Sequence, residues 1–212
     1  MKKAYLNWSS GKDAAFAFYK IQQGNTIPVG KLVTTFNSEA DRISMHGVRK
    51  ELLERQALEI GLPVQIISLP GEVTMQEYND LMERETKQLR KEGFTHSIFG
   101  DIFLEDLKAY REKQLRKAGF DGIFPLWKIN TRSLLKEFLA VGFKAVTVCV
   151  NSRFLDSSFC GRLLDEDFLN DLPEGVDPCG ENGEFHSFVY DGPIFKNPVL
   201  FEIGEVTERF YA

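Results

Sequence analysis

A chain of 212 residues with 43% hydrophobic content and 18 Phe is long enough for one large domain, or for a domain with a smaller appendage. Its net charge of −5 and pI near 5.4 argue against nucleic-acid binding driven by a basic surface. No apolar run reaches membrane-spanning length and no signal-peptide pattern opens the chain. Cys149, Cys160 and Cys179 are widely spaced without a CxxC, which argues against a zinc ribbon or a disulfide framework and for a reducing cytoplasm.

The predicted elements then alternate. Residues 4–8 (AYLNW) read as a strand. The run Ser9-Ser10-Gly11-Lys12-Asp13 is a tight loop of small residues before an apolar helix that continues through Ala14. Strand, small-residue loop and helix together make an anion cradle, because backbone N–H groups can converge and the helix N-terminus adds its positive dipole end. Lys12 supplies a point charge. Asp13, a carboxylate beside phosphates, calls for a cation between them, and Mg²⁺ bound with a nucleotide fits. An ordinary strand-to-helix loop with Asp13 favouring the dipole also explains the run. Neither GxxxxGK[ST] nor GxGxxG is present.

Residues 31–36 (KLVTTF) predict a second strand. Residues 48–60 carry apolar Leu52, Leu53, Ala57, Leu58 and Ile60 at helical spacing, closed by Gly61 with Pro63 beyond. A third strand is predicted over 64–69, a charged amphipathic helix over 74–91, a fourth strand over 95–99 that breaks at Gly100-Asp101, and a helix over 106–117. Beyond a boundary near 127–131 the pattern changes. A helix over 133–140, a strand over 144–150 and a short acidic stretch over 166–172 lead into a Gly/Pro/Asn-rich loop over 173–183. Strands are predicted over 185–190, 199–203 and 206–211. The expectation is an α/β chain: a parallel-sheet domain over 1–128 and a smaller α/β domain over 129–212.

Parallel sheets bind ligands at the carboxyl ends of their strands, where Ser9 to Asp13, Asn37-Ser38-Glu39 and Gly100-Asp101 are all predicted to lie. Asp101 is a candidate second Mg²⁺ ligand or a helix-start cap. His46 could orient a loop over the nucleotide, or be structural. Trp127 could wall a cleft or fill core. Glu105 and Arg111 read as solvated helix charges. Glu181, Asn182, Glu184 and His186 form a second cluster. A turn at Asn182-Gly183 accounts for those two residues, but not for Glu181, Glu184 and His186 together, so these are candidates for proton transfer or substrate steering. No second His stands at ligand spacing to make His186 a metal ligand.

Three stretches resemble one known family: Trp8-Ser9-Ser10-Gly11-Lys12-Asp13; Phe99-Gly100-Asp101-Ile102 with Ala118-Gly119-Phe120 and Pro125-Leu126-Trp127; and the run from Gly180-Glu181-Asn182-Gly183-Glu184-Phe185-His186 to Asp191-Gly192-Pro193. Met45-His46-Gly47-Val48-Arg49 is similar as well. The family is the diphthine–ammonia ligases, or diphthamide synthetases, among the PP-loop (adenine nucleotide alpha hydrolase-like) ATP pyrophosphatases. The resemblance implies a Rossmann-like, HUP-type domain and cleavage of ATP between its α and β phosphates with Mg²⁺. It implies a carboxylate activated as its adenylate and then attacked by ammonia, the acceptor being diphthine on elongation factor 2 where the source makes diphthamide. It implies phosphate contacts from Ser9, Ser10, Gly11 and Lys12, with Gly100 and His46 also on the nucleotide. It implies metal binding by Asp13 and Asp101, and adenine contacts from the backbone of Thr35 and Phe36. Catalytic roles fall to Lys12, Asp13, Asp101, Glu184 and His186, and acceptor binding to Trp127, Glu181, Asn182 and Glu184. The usual loop, Ser-Gly-Gly-x-Asp-Ser, differs here at Ser10 and Ala14, and Ala14 lacks a hydroxyl that would meet pyrophosphate. An ATP- or AMP-binding module with little catalysis is therefore an alternative. An RNA-modifying PP-loop enzyme is another, against which the acidic pI and the missing Cys pair weigh. A cytoplasmic protein, a homodimer on base rates alone and no membrane partner complete the expectations.

Overall fold

The structure is a computed structural model describing residues 2–39, 41–43, 47–71 and 74–208. β1 (Ala4–Asn7) runs into α1 (Lys12–Gly24), and β2 (Val29–Asn37) returns parallel to β1. The two-residue β3 (Arg42–Ile43) turns back antiparallel on Phe36 and Asn37. After α2 (Lys50–Ile60), β4 (Val64–Leu69) pairs in parallel with the other edge of β2. α3 (Met75–Lys91) then leads to β5 (His96–Ile98), parallel to β1 on its far side, and α4 (Glu105–Lys117) to β6 (Asp121–Ile123), parallel to β5. The chain thus builds outward from β1 in one direction and then crosses to the other. The carboxyl ends of β1 and β5 flank the point where strand order reverses, the place where such sheets open a ligand crevice.

Alternation along β1 shows why the sheet is covered on both faces. Ala4 and Leu6 enter one buried cluster and Tyr5 the other, as the two-residue period of a strand requires. On the Tyr5 face, Phe94, Phe99 and Phe120 cluster with Leu89 of α3 and Leu115 of α4. The other face continues into the C-terminal residues, α5 (Thr131–Ala140), β7 (Lys144–Val150), a 3-10 turn at Ser157–Phe159, α6 (Glu166–Asp171) and β8 (Phe185–Asp191), with β7 and β8 antiparallel. Phe16 of α1 meets Phe138 and Phe143 edge-on at 5.9 and 6.0 Å, and those two rings stack at 4.7 Å. Leu6, Trp8, Phe138, Phe168 and Phe188 share one buried cluster, so a single core runs across residue 128.

Two expectations are corrected, and two strands carry no sequence signal. Leu58 is 71% exposed, and the buried face of α2 is Leu53, Gln56 and Ala57. The short strands β3 and β6 carry too few residues for a periodic signal. Residues 198–208 form no strand, although Val199 donates to the Tyr190 carbonyl at 2.7 Å and Phe201 packs on Phe188 and Tyr190. The edge of β8 that a further strand would need is engaged by Ser10 and Gln56, so strand-forming side chains there find no ladder. Residues 209–211 of that prediction lie outside the described residues.

Candidate functional site

β1 delivers the chain to Ser9, and Ser10 then turns it with φ +69. Ser10 is fully buried, and its Oγ has no hydrogen-bond partner. Gly11 is the N-cap of α1 without a side-chain cap. The turn is pinned from the C-terminal side of the molecule: the Val189 amide donates to the Ser10 carbonyl at 3.0 Å and the Lys12 amide to Ser187 Oγ at 3.2 Å.

Lys12, expected as a point charge for phosphate, is buried and paired. Only 3% of it is exposed. Its Nζ holds both carboxylate oxygens of Asp13, at 2.9 and 2.7 Å, and donates to the Cys179 carbonyl. It therefore fastens the loop before β8 to the loop after β1. Gly100 has a packing reason: a Cβ there would stand 2.7 Å from the Asp13 carbonyl carbon and 2.9 Å from the Ala14 nitrogen. The end of β5 rests on the first turn of α1, which carries Asp101 to the same crevice. Asp101 ion-pairs with Arg111 Nε at 2.8 Å without hydrogen-bond alignment, and the guanidinium lies 4.5 Å over the Phe99 ring. Arg111 is thus a partly buried, paired charge.

Glu181 reaches across from the C-terminal loop, its Oε1 accepting from the Ile102 amide at 2.8 Å. Glu184 is 1% exposed. Its carboxylate accepts from the amides of Asp177 and Asn182 and from Asn182 Nδ2, all at 3.0 Å. Glu184 and Asn182 therefore shape this loop from within. Gly180 (φ +68) serves the same turn, where a Cβ would approach the Phe185 carbonyl to 2.7 Å. Trp127 packs against Phe124 and under the Lys108 ammonium, and the next amide, Lys128, donates to the Ile102 carbonyl at 2.7 Å, so its turn borders Asp101. Phe36 is core, paired with Ile43 and Ser68, and Thr35 is half-buried on the same strand. His46 lies outside the described residues.

Charge in this crevice is unbalanced. Asp13, Asp101, Asp177 and Glu181 face Lys12 and Arg111, and burial is the leading cause that raises the carboxyls of Asp13, Asp101 and Glu181. Burial, with Asp177 adding, raises the Asp13 carboxyl against the pull of Lys12. Burial and then Asp13 raise Asp101 against Arg111. Burial, with Asp13 and Asp101, pushes Glu181 up to about 7. Burial works against the Lys12 ammonium, but Asp13, Cys179 and Glu181 outweigh it and hold the proton on. Burial, seconded by Lys12, depresses His186 to about 4, so its imidazole is neutral at pH 7.

Sequence reasoning missed Gln56, Asp177 and Ser187. Gln56 had a signal, a polar residue on the apolar stripe between Leu53 and Ala57. Asp177, which accepts from the amides of Cys179 and Glu181, and Ser187 had none, since their partners lie in the fold. Two cavities of about 450 and 440 Å³ share Lys2 and His96, at the amino end of β5, the wrong end of that strand for this crevice. No helix among the described residues is long and apolar enough to cross a membrane.

Two family models match: the diphthamide synthase N-terminal domain over residues 1–122 and the diphthamide synthase C-terminal domain over residues 130–211. Among curated relatives, the diphthine–ammonia ligases of Bos taurus and Homo sapiens are each 29% identical over 61% of this chain and 51% of their own length. That of Danio rerio is 24% identical over 93% of this chain and 85% of its own. The chain spans about half the length of the first two. A solved structure described as the predicted subunit of tRNA methyltransferase from Methanocaldococcus jannaschii aligns at TM-score 0.47 and 14% identity, over 69% of this chain and 78% of that one.

Proposed function

This chain belongs to the diphthamide synthase family, and from that premise we propose that it is an ATP-dependent amide ligase of the diphthine–ammonia ligase type. A substrate carboxylate attacks the α-phosphorus of ATP, the bond to the β-phosphate oxygen breaks and pyrophosphate leaves. Ammonia then attacks the acyl carbon and AMP leaves with the electron pair. The acceptor is diphthine on elongation factor 2, and the setting is the cytoplasm. The observation that carries this reading is the turn at Ser10. A buried hydroxyl without a partner and a helix N-terminus without a cap stand at the strand-order switch point beside Asp13 and Asp101.

In this reading Ser9, Ser10 and Gly11 hold the phosphates, and Thr35 and Phe36 flank the adenine through their backbone. Asp13 and Asp101 would hold Mg²⁺. Among the described residues no three His, Cys, Asp or Glu side chains form a metal site by themselves. Two carboxylates completed by phosphate oxygens and water are the usual Mg²⁺ donor set, so the residues fit. The ion supplies neutralisation of the charge that gathers on the phosphates. Lys12 offsets that charge from behind Asp13 while keeping the C-terminal loop in place. Glu181, whose carboxyl burial pushes up to about 7, takes a proton from ammonium in this reading. Glu184 and Asn182 position Glu181, His186 lines the crevice as a neutral imidazole, and Trp127 walls the acceptor side. Residues 1–128 carry the nucleotide and 129–212 the acceptor.

The test is pyrophosphate and AMP release from ATP, Mg²⁺ and ammonium, with diphthine-bearing elongation factor 2 as acceptor. Acceptor-dependent release that vanishes in Asp13→Ala is expected. ATP binding without α–β cleavage for any carboxylate acceptor refutes the ligase and leaves a nucleotide-binding module, the reading that Ala14 allows.

A further inference from the structure

We propose that Gln56, on α2 and outside the crevice, is a positioning residue for phosphate binding. It sets the Ser10–Gly11 peptide so that the Gly11 amide faces the anion, and it ties β8 to the same carbonyl. The proposal rests on the nucleotide reading and names one of its determinants.

Gln56 is fully buried on a helix face otherwise formed by Leu53 and Ala57. A buried primary amide is costly unless its oxygen and both N–H groups are bonded, and here they are. Oε1 accepts from Trp8 Nε1 at 2.9 Å. Nε2 donates to the Ser10 carbonyl at 3.1 Å and to the Val189 carbonyl at 2.6 Å. Trp8 stands two residues before Ser10, so one side chain grips both the entry to the turn and its centre.

The consequence for the anion follows from peptide geometry. The Ser10 carbonyl accepts from Gln56 and from the Val189 amide, which directs it toward α2 and β8. In a trans peptide the N–H of the next residue points the opposite way, so the Gly11 amide is turned from α2 toward the mouth of the turn. Its hydrogen bond to Ser9 Oγ is long, at 3.4 Å, whereas the Lys12 amide is engaged by Ser187. Gly11 therefore offers a weakly engaged backbone donor at the start of α1. The backbone that presents it is left-handed at Ser10, a conformation that a non-glycine residue keeps only when its surroundings impose it.

A residue that merely glues α2 to β8 would also be buried and bonded, so the experiment separates the two roles by ligand. ATP and adenosine are titrated calorimetrically into wild type, Gln56→Met, which keeps the volume, and Gln56→Glu, which keeps an acceptor for Trp8 but loses both donors. The expected result is a tenfold or greater loss of ATP affinity in both variants with adenosine affinity held within twofold. Equal loss for both ligands, or loss for neither, overturns the positioning role while wild-type ATP binding upholds the nucleotide reading. Wild type that binds ATP no better than adenosine overturns both. A readout that needs no variant is the exchange rate of the Gly11 amide by NMR. Inorganic pyrophosphate should slow it in wild type, and an unchanged rate overturns the proposal even if the variants fail to fold.

Discussion

Gly100→Ala tests the contact on which the crevice depends. The new methyl would meet the Asp13 carbonyl carbon at 2.7 Å and the Ala14 nitrogen and Asp13 oxygen at 2.9 Å. All three are backbone atoms, so no rotamer change relieves them. Bringing the shortest to the 3.4 Å of ordinary contact separates the end of β5 from α1 by about 0.7 Å, a displacement of the size that loosens a preorganised site. α1 cannot yield alone, because Ser187 and Val189 hold its first turn and the loop before it. Overpacking of this kind costs about 1–3 kcal/mol. The lower end alone, appearing as weaker ATP binding, is several-fold, since about 1.4 kcal/mol is a factor of ten. Urea unfolding followed by circular dichroism gives the stability, and calorimetric titration gives the affinity. Gly204→Ala is the control, with no atom within 4 Å of its added Cβ. A Gly100→Ala protein as stable as Gly204→Ala and with wild-type ATP affinity would refute the close-approach argument.

The ion pair at the base of the turn makes a second prediction. Asp13→Ala strands the Lys12 ammonium, buried to 3% exposure, and should destabilise the protein by about 3–5 kcal/mol. The double variant Lys12→Met/Asp13→Ala should recover much of that stability in urea unfolding while ATP cleavage stays absent; no recovery means the pair is not the source of the loss. The pH dependence of stability contains two opposed contributions. His186, depressed from 6.5 to about 4, contributes stability that is present above pH 6.5 and lost as pH falls toward 4. Glu181, raised from 4.5 to about 7, contributes stability that is present below pH 4.5 and lost as pH rises toward 7. Relative to wild type, Glu181→Gln should therefore lose stability on acidification from pH 7 to 5 and His186→Asn should gain it, read as urea midpoints. Parallel profiles for all three proteins would contradict the burial argument.

Reading the chain found the elements that carry periodicity and the turn that carries chemistry. The first strand, its Ser-Ser-Gly-Lys-Asp turn and the following helix are local objects, specified by small residues between two apolar runs. Gly100-Asp101 was legible as a strand end for the same reason. The roles of single side chains were less so. Lys12 read as a charge aimed at phosphate, because sequence cannot show that the Cys179 carbonyl, 167 residues away, waits to receive it. Arg111 read as a solvated charge, because its partner Asp101 lies before the helix and off the spacing of helical pairs. Glu184 read as a candidate acid or base, yet its oxygens close the loop they belong to.

Sequence by itself determined the α/β alternation, the anion-cradling turn and the short motifs that resemble the diphthamide synthase family, since each depends on residues close in the chain. Tertiary structure decided that β8 seals the turn through Val189, that Gln56 orients Ser10, and that Glu181 joins Asp13 and Asp101. It also left residues 198–208 without a strand despite their composition. The physical reason is the same in each case. A hydrogen bond or a pKa shift depends on which groups lie within a few ångströms, and for these residues those groups come from parts of the chain that only folding brings together.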